Sequence, residues 1–317
     1  MSINWSYLQH AAQRLLPLVF LPLSAADAVF SVTGRWLGTD GHLYYEASAA
    51  WLSGGNPWDV FVTNRGLEYH YYALPTAAVL IAPFTKIPED LFVAIWIGIQ
   101  VVAAVYVVWR LKLQWWWLAF PPLVDGILAG NPSPLVIALL VAPHPAAKAF
   151  AVLLKVYAGL PLLGERKWRA VLIAAGIVVA SVLLAPGLWA QFIDGSSDRT
   201  ARQLIEAQGG FSAFDKPVVL AGACLALALI ARRDLRVAGW LAPIAIWPGS
   251  QFHWSTLAMP VMTLPMAYLL ALPGLGLPPL AVMLYAAISE VRHLRARPEG
   301  GSSATIERRP EGGGPQG

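Results

Sequence analysis

The sequence predicts an all-α polytopic membrane protein, a bundle of about nine to eleven membrane helices. Three observations carry that expectation. Of the 317 residues, 57% are hydrophobic and only 13% are charged, against roughly 25% charged in a soluble domain. The mean hydropathy is +0.57. The apolar excess also recurs along almost the whole chain, in runs approaching the ~20 residues that a span needs. Residues 1–291 read as a single membrane domain without internal repeats. Residues 292–317 read as a polar tail, rich in Gly, Ser, Pro and charge from about Pro298, that buries too little apolar surface to fold alone.

The first apolar segment is 15–33. Arg14 followed by LLPLVFLPLSAADA imitates a secretory signal with a small-residue cleavage site, but the many later segments favour an uncleaved first span. A hydrophilic stretch, 34–72, follows. Thr39 is expected to cap a helix from Asp40 to about Leu52 that ends at Gly54-Gly55-Asn56-Pro57. Asp40, Tyr44, Ala47 and Trp51 share one face of it, which predicts a short helix lying along the membrane surface. Apolar segments then run over 73–86, 91–109, 115–129, 132–145, 149–164, 170–192, 217–231, 237–250, 255–272 and 274–290. Those at 73–86, 115–129 and 132–145 are short for a crossing and read as half-helices, tilted helices or re-entrant pieces. The polar stretch 193–216 reads as a second interfacial helix.

Charge placement sets the expected orientation. Arg166, Lys167 and Arg169 form one cytoplasmic turn, and Arg232, Arg233 and Arg236 form another. The 193–216 segment and the Asp40 loop then lie outside, and the N-terminus inside. Arg110, Lys112 and the Arg-rich C-terminal tail fit this count poorly. The formal charge of +4 comes without a basic patch, so nucleic acid is not an expected partner. Cys224 is the sole cysteine, which excludes an internal disulfide and reads as a small buried hydrophobe.

The stretch from Thr39 to Pro83 gathers Asp40, His42, Glu46, Asp59, Glu68 and His70 among aromatic residues. Polar groups beside bilayer-facing segments point to a polar ligand, and aromatic rings at that depth also serve as interface anchors. Asp40 is the leading candidate for a general base acting on a hydroxyl. The alternative is a first-turn acid favoured by the helix dipole, worth about 0.3–1 kcal/mol. Lys155 lies within AFAVLLKVYAGLPLL, where a mid-span lysine costs roughly 2.5–3.5 kcal/mol. That cost calls for an anionic partner or for snorkelling to a boundary. Asp27 and Asp125 are intramembrane carboxylates suited to pairing with basic groups inside the bundle. His253 and Trp254 sit in WPGSQFHWSTLAMP, a polar break with Ser250, Gln251 and Ser255. Gly130-Asn131-Pro132 breaks another apolar run and can expose backbone to a cavity. No metal-ligand spacing, nucleophile elbow, P-loop or dinucleotide fingerprint occurs, so neither a metal nor a cofactor is expected.

These residues resemble a known family. Asp40, YYEASAAWLSGGNPW at 44–58 and EYHYYALPTAAVLIAPFTKIP at 68–88 look like the N-terminal signature of family-87 glycosyltransferases. Gly130-Asn131 occupies the place of a Gly-Gln step. LLKVYAGLPLLGERKWRA at 153–170 is similar to the family's lysine-containing span with its basic turn, and SQFHWSTLAMP at 250–260 to its late loop. Asn131 replaces the usual Gln, Trp58 stands where Tyr is usual, and the late loop is short.

The resemblance implies a GT-C-like helical bundle with an extracytoplasmic active site. It also implies a polyprenyl-phosphate sugar donor, commonly mannose, a lipid or glycan acceptor, and inverting, metal-independent transfer. On that analogy Asp40 is the general base, and Lys155 and His253 lie near the phosphate or acceptor. The 39–72 loop shapes the sugar site, with Tyr44, Tyr45, Trp58, Tyr69 and His70, and Asn131 and Trp254 complete it. A transporter or lipid flippase, which would use Asp27, Asp125 and Lys155, and an inactive envelope-assembly protein are the competing classes.

Overall fold

The computed structural model describes residues 5–34, 37–64, 67–206, 213–214, 216–248, 251–273 and 277–296. Arg65, Asp215, Ser250 and the tail expected beyond Pro298 lie outside them. The helices and one hairpin are α1 (Trp5–Gly34), α2 (Thr39–Leu52), β1 (Phe61–Asn64), β2 (Leu67–His70), α3 (Pro75–Ile81), α4 (Glu89–Arg110), α5 (Pro121–Leu128), α6 (Ser133–Val141), α7 (Pro145–Leu154), α8 (Gly159–Gly164), α9 (Trp168–Leu184), α10 (Pro186–Asp194), α11 (Ser196–Glu206), α12 (Pro217–Ala231), α13 (Leu235–Ile246), α14 (Leu264–Ala271) and α15 (Leu277–Ala296). Short 3-10 turns cover 57–59, 82–86, 115–119, 156–158 and 252–261.

The all-α class holds, with fewer clear spans than the apolar runs suggest. Among the described residues two helices are long and apolar enough to cross a membrane, Ala12–Gly34 and Glu89–Arg110. Two more arise if the bent pairs α5 with α6 (116°) and α9 with α10 (101°) each count as one. Proline is the reason the rest fall short. Pro121, Pro145, Pro186 and Pro217 each occupy the first position of a helix, where the missing N–H costs nothing but no preceding helix can continue through. The 149–164 run is likewise not one helix. The chain is extended at Lys155, φ −145°, ψ 111°, and turns over 156–158 before α8 begins.

The main core joins Leu16 and Phe20 of α1, Phe120 and Leu123, Ile137 and Leu140 of α6, and Trp240 and Leu241 of α13, all buried. Val102, Leu172, Leu183 and Leu184 point outward and are exposed, as lipid-facing side chains must be. The basic turns gather at one end. Glu165 accepts from Trp240 Nε1 at 2.9 Å and from Arg236 Nε at 3.4 Å. Arg110, Lys167 and Glu165 all lie close enough to Lys148 to act on its charge. Helix α4 connects this end to the acidic one, where Glu89 meets His42 Nδ1 at 2.6 Å. Its 22 residues rise about 33 Å, close to the ~30 Å hydrocarbon thickness.

Helix α2 begins one residue earlier than expected. Gly38, not Thr39, stands at the cap, in left-handed conformation with φ 76° and without any side-chain cap bond. A Cβ there would sit 2.4 Å from Val93 Cγ1. The opening N–H groups find partners elsewhere: Gly38 N–H donates to Leu128 O (2.7 Å) and Asp40 N–H to Ala129 O (2.8 Å). The orphan donors of one helix are thus satisfied by the orphan carbonyls of α5. Of the expected shared face, Tyr44 and Ala47 are buried and Trp51 partly so. Helix α2 contacts α3 and α4, so it packs on protein as well as lying at the bundle's end.

Candidate active site

Three chain segments converge at the start of α2. The first is α2 itself, which carries Asp40 in its opening turn. The second is the break between α5 and α6. Gly130 there has φ +68°, and a Cβ on it would lie 3.2 Å from Gly41 N and 3.3 Å from Gly38 Cα, so only glycine lets the two backbones touch. Trp96 Nε1 donates to Gly130 O at 2.7 Å and fixes the break. Next in sequence, Asn131 Oδ1 accepts from Ser133 N–H (3.0 Å) and Oγ (2.6 Å). That orients the amide so that Nδ2 donates to Asp40 Oδ2. The third segment is the end of α7, where Lys155 places Nζ 5.8 Å from the centroid of the Tyr44 ring. Asp40 is close enough to act on this ammonium, yet among the described residues no carboxylate lies within 4.0 Å of it.

Asp40, Tyr44, Tyr69, His70, Asn131, Lys155 and Trp254 line one cleft, with Tyr71, Tyr72 and Gln251. A second, larger cleft of about 190 Å³ adjoins it through Tyr72, Ala73, Lys155 and Trp254. The hydroxyls of Tyr44 and Tyr71 and Trp254 Nε1 are buried without a hydrogen-bond partner among the described residues. Burial first, then Tyr71 and the Asp40 carboxylate, raise the Tyr44 phenol well above its ordinary value, and burial raises Tyr71 likewise. Both therefore stay protonated donors. His70 is pulled down by burial and by Arg202, against the opposing pull of Glu68 and Asp59. It sits 3.5 Å from Glu68 Oε2.

Seven of the ten residues singled out from sequence thus line one cleft. The other three stand apart from both clefts. Tyr45 turns away, its hydroxyl donating to Thr85 O (3.0 Å) and Ile87 O (2.9 Å). Trp58 is 2% exposed; its Nε1 donates to Ala73 O at 3.0 Å and its ring packs on Phe192 and Tyr71, which leaves no face for a sugar. His253 lies next to Trp254 in the chain but points elsewhere, with Nδ1 3.1 Å from Asp125 Oδ2. Asp27 is near enough to feel both charges, so of the intramembrane acids Asp125 pairs with a histidine, not with Lys155. Among the described residues no group of three His, Cys, Asp or Glu side chains is placed to hold a metal ion. Tyr71 and Tyr72 escape the sequence reading, and Gln251 enters it only as part of a polar break. For the tyrosines the run YHYYA at 69–73 is the one signal. Only the β1–β2 hairpin, with Phe61 opposite His70, decides which rings face inward.

No protein-family model, curated protein or solved structure matches the chain.

Proposed function

We propose that the chain is a membrane glycosyltransferase that moves a hexose, mannose in the first instance, from a polyprenyl-phosphate donor to a hydroxyl of a lipid or glycan acceptor. The observation that carries this reading is the joint cleft. It holds a carboxylate oriented by an amide, an ammonium without an ionic partner among the described residues, and unsatisfied phenol and indole donors with aromatic faces. A sugar phosphate calls for the cation, the donors and the rings, and the hydroxyl that attacks it calls for the carboxylate.

In the proposed reaction Asp40 takes the proton of the acceptor hydroxyl as its oxygen bonds to the anomeric carbon. The bond from that carbon to the phosphate oxygen breaks, and its electron pair leaves with the phosphate. Attack opposite the leaving group inverts the centre. Lys155 meets the growing negative charge inside a poorly hydrated site, where such stabilisation is strongest. Asn131 holds the carboxylate in place, the Tyr69 and Tyr72 rings offer faces to the sugar, and Trp254, packed on Tyr157, offers its Nε1–H, unpaired among the described residues. The positive-inside rule supports an orientation with the basic end of the bundle toward the cytoplasm and the cleft toward the extracytoplasmic side.

The test is direct. Membranes containing the protein are incubated with radiolabelled polyprenyl-phosphate mannose and with other lipid-linked hexoses, and label in lipid and glycan acceptors is counted. Transfer above that of membranes lacking the protein is the expected result; none from any donor rejects the reading. A second reading is favoured by one observation, the partly buried meeting of Asp27, Asp125 and His253 inside the bundle, which suits a proton-coupled transporter. Proton-driven lipid or solute movement in proteoliposomes, without sugar transfer, is the outcome that selects it.

A further inference from the structure

The second cleft contains a cation that neither the sequence motifs nor the proposed chemistry uses. Arg199 of α11 is only 8% exposed and lines this cleft together with Lys155. Its guanidinium carbon stands 4.2 Å from the Phe192 ring centroid and 5.1 Å from that of Trp58. Gly195 leaves room for it, since a Cβ there would meet Nη1 at 2.7 Å. Two aromatic rings thus hold the plane of the guanidinium. Among the described residues its buried Nη2 has no hydrogen-bond partner, and no carboxylate pairs with Arg199. Burial, and then Arg202, pull its pKa down, as expected of a cation that has lost water without gaining an acid.

A buried arginine with a free donor is costly unless something anionic completes it. The geometry points to the second cleft as a binding site for the phosphate head of an amphiphile, with Arg199 as its anchoring donor and Lys155 as the second cation. Two facts choose this ligand class. Arginine's flat fork matches phosphate oxygens, and neither cation bordering this cleft has an acidic partner among the described residues. Leu74, Leu154, Val156 and Trp247 line the same cleft, with Ser196 and Thr200; this apolar surface beside the cations fits the first carbons of a lipid chain better than free phosphate. Because Lys155 also borders the Asp40 cleft, a phosphate held here directs whatever it carries toward Asp40. The inference rests on the proposed function in giving its leaving group a second cation, but the binding itself needs no sugar transfer.

The full chain, purified in detergent, is titrated with farnesyl phosphate, with farnesol and with inorganic phosphate, and binding is followed by calorimetry. Farnesyl phosphate should bind at least about tenfold tighter than either of the others, since each holds only half of the recognised chemistry. Arg199→Gln should weaken farnesyl phosphate about tenfold or more and leave farnesol unchanged, with the unfolding temperature of the unliganded protein retained. If the glutamine variant does not fold, Arg199→Lys keeps the charge without the fork and should bind farnesyl phosphate about threefold weaker or worse. Equal binding of farnesol and farnesyl phosphate overturns the anion site. Inorganic phosphate as tight as farnesyl phosphate overturns the lipid half, and wild-type affinity in the folded Arg199 variants removes Arg199. Sugar transfer that persists alongside unaltered binding by Arg199→Gln discards this subsite alone. Arg199-dependent binding without any sugar transfer keeps the subsite and discards the proposed function.

Discussion

Replacing Asp40 by Asn tests the proposed chemistry at its centre. The change is isosteric. The backbone bond from residue 40 to Ala129 O remains, and the new amide oxygen can accept from Asn131 Nδ2 where the carboxylate now does. What disappears is the proton acceptor and one negative charge. Losing a general base lowers turnover about 10²- to 10⁴-fold, or about 2.7–5.4 kcal/mol of barrier at ~1.36 kcal/mol per tenfold. The stability loss is far smaller. A first-turn acid is worth about 0.3–1 kcal/mol, and a charge-assisted bond becomes a neutral one for about 1 kcal/mol more.

Radiolabelled mannose transfer from the polyprenyl-phosphate donor, normalised to folded protein by size-exclusion profile and unfolding temperature, separates the two effects. A double-mutant cycle sharpens the test. Asn131→Ala leaves the base but removes its orienting donor, and should cost about 10- to 100-fold if the roughly 1.5–3 kcal/mol of a bond to a charged group is felt in the transition state. In the Asp40→Asn background the same change should cost almost nothing, because no base remains to orient. Near-normal transfer by folded Asp40→Asn protein, or costs that simply add, would refute the reasoning.

Three further outcomes follow from the geometry. Gly130→Ala should destabilise the protein by about 1–3 kcal/mol, since it forces a left-handed residue against two backbone segments. Gly98→Ala on α4, where a Cβ meets nothing, should be neutral or stabilising; thermal unfolding in detergent compares them. For topology, a cysteine at the exposed Ser53 in a Cys224→Ala background should react with an impermeant thiol reagent in intact cells, and one at the exposed Lys167 only after permeabilisation. The reverse pattern inverts the orientation. For pH, His70 is held below its ordinary value of 6.5, so the unfolded chain binds its proton first. Its contribution therefore makes stability highest above about pH 6.5 and lower as pH falls through the folded value. His70→Gln should flatten that slope in unfolding midpoints measured from about pH 5 to 8, and an unchanged slope would show that His70 does not set it.

Much of the site is legible in the sequence, and the fold less so. Asp40, Lys155 and Asn131 are visible for one physical reason. Each is a polar residue in or beside an apolar run, where it costs several kcal/mol unless something answers it. The number of spans comes out too high because hydropathy averages over prolines. Pro121 and Pro186 leave an apolar run as apolar as before while interrupting its helix. Trp58 and Tyr45 are misplaced for a related reason. An aromatic residue in a polar loop reads the same whether its ring meets a ligand or a neighbouring helix, and for Trp58 only the position of Phe192 and Ala73 decides it. Arg199 is invisible because the polar 193–216 stretch, with charges of both signs, hides one buried cation among exposed ones.

The breaks carry the deeper lesson. A half-helix in a membrane must satisfy the carbonyls at its end, so a break such as Ala129-Gly130-Asn131-Pro132 demands a donor-bearing partner somewhere in the bundle. Here that partner is the start of α2. Gly38 and Asp40 give their N–H groups to the last carbonyls of α5, and the left-handed Gly130 makes the approach close enough. The same junction that closes the backbone account therefore brings Asn131 to the Asp40 carboxylate. Sequence shows that the break needs a partner and that Asp40 needs one. Nothing local says that the two needs answer each other, because that depends on α4 holding Trp96 against Gly130 O. The candidate general base is thus positioned by the requirement that a membrane places on broken helices, and changes at Gly38 or Gly130 should disturb it as surely as changes at Asn131.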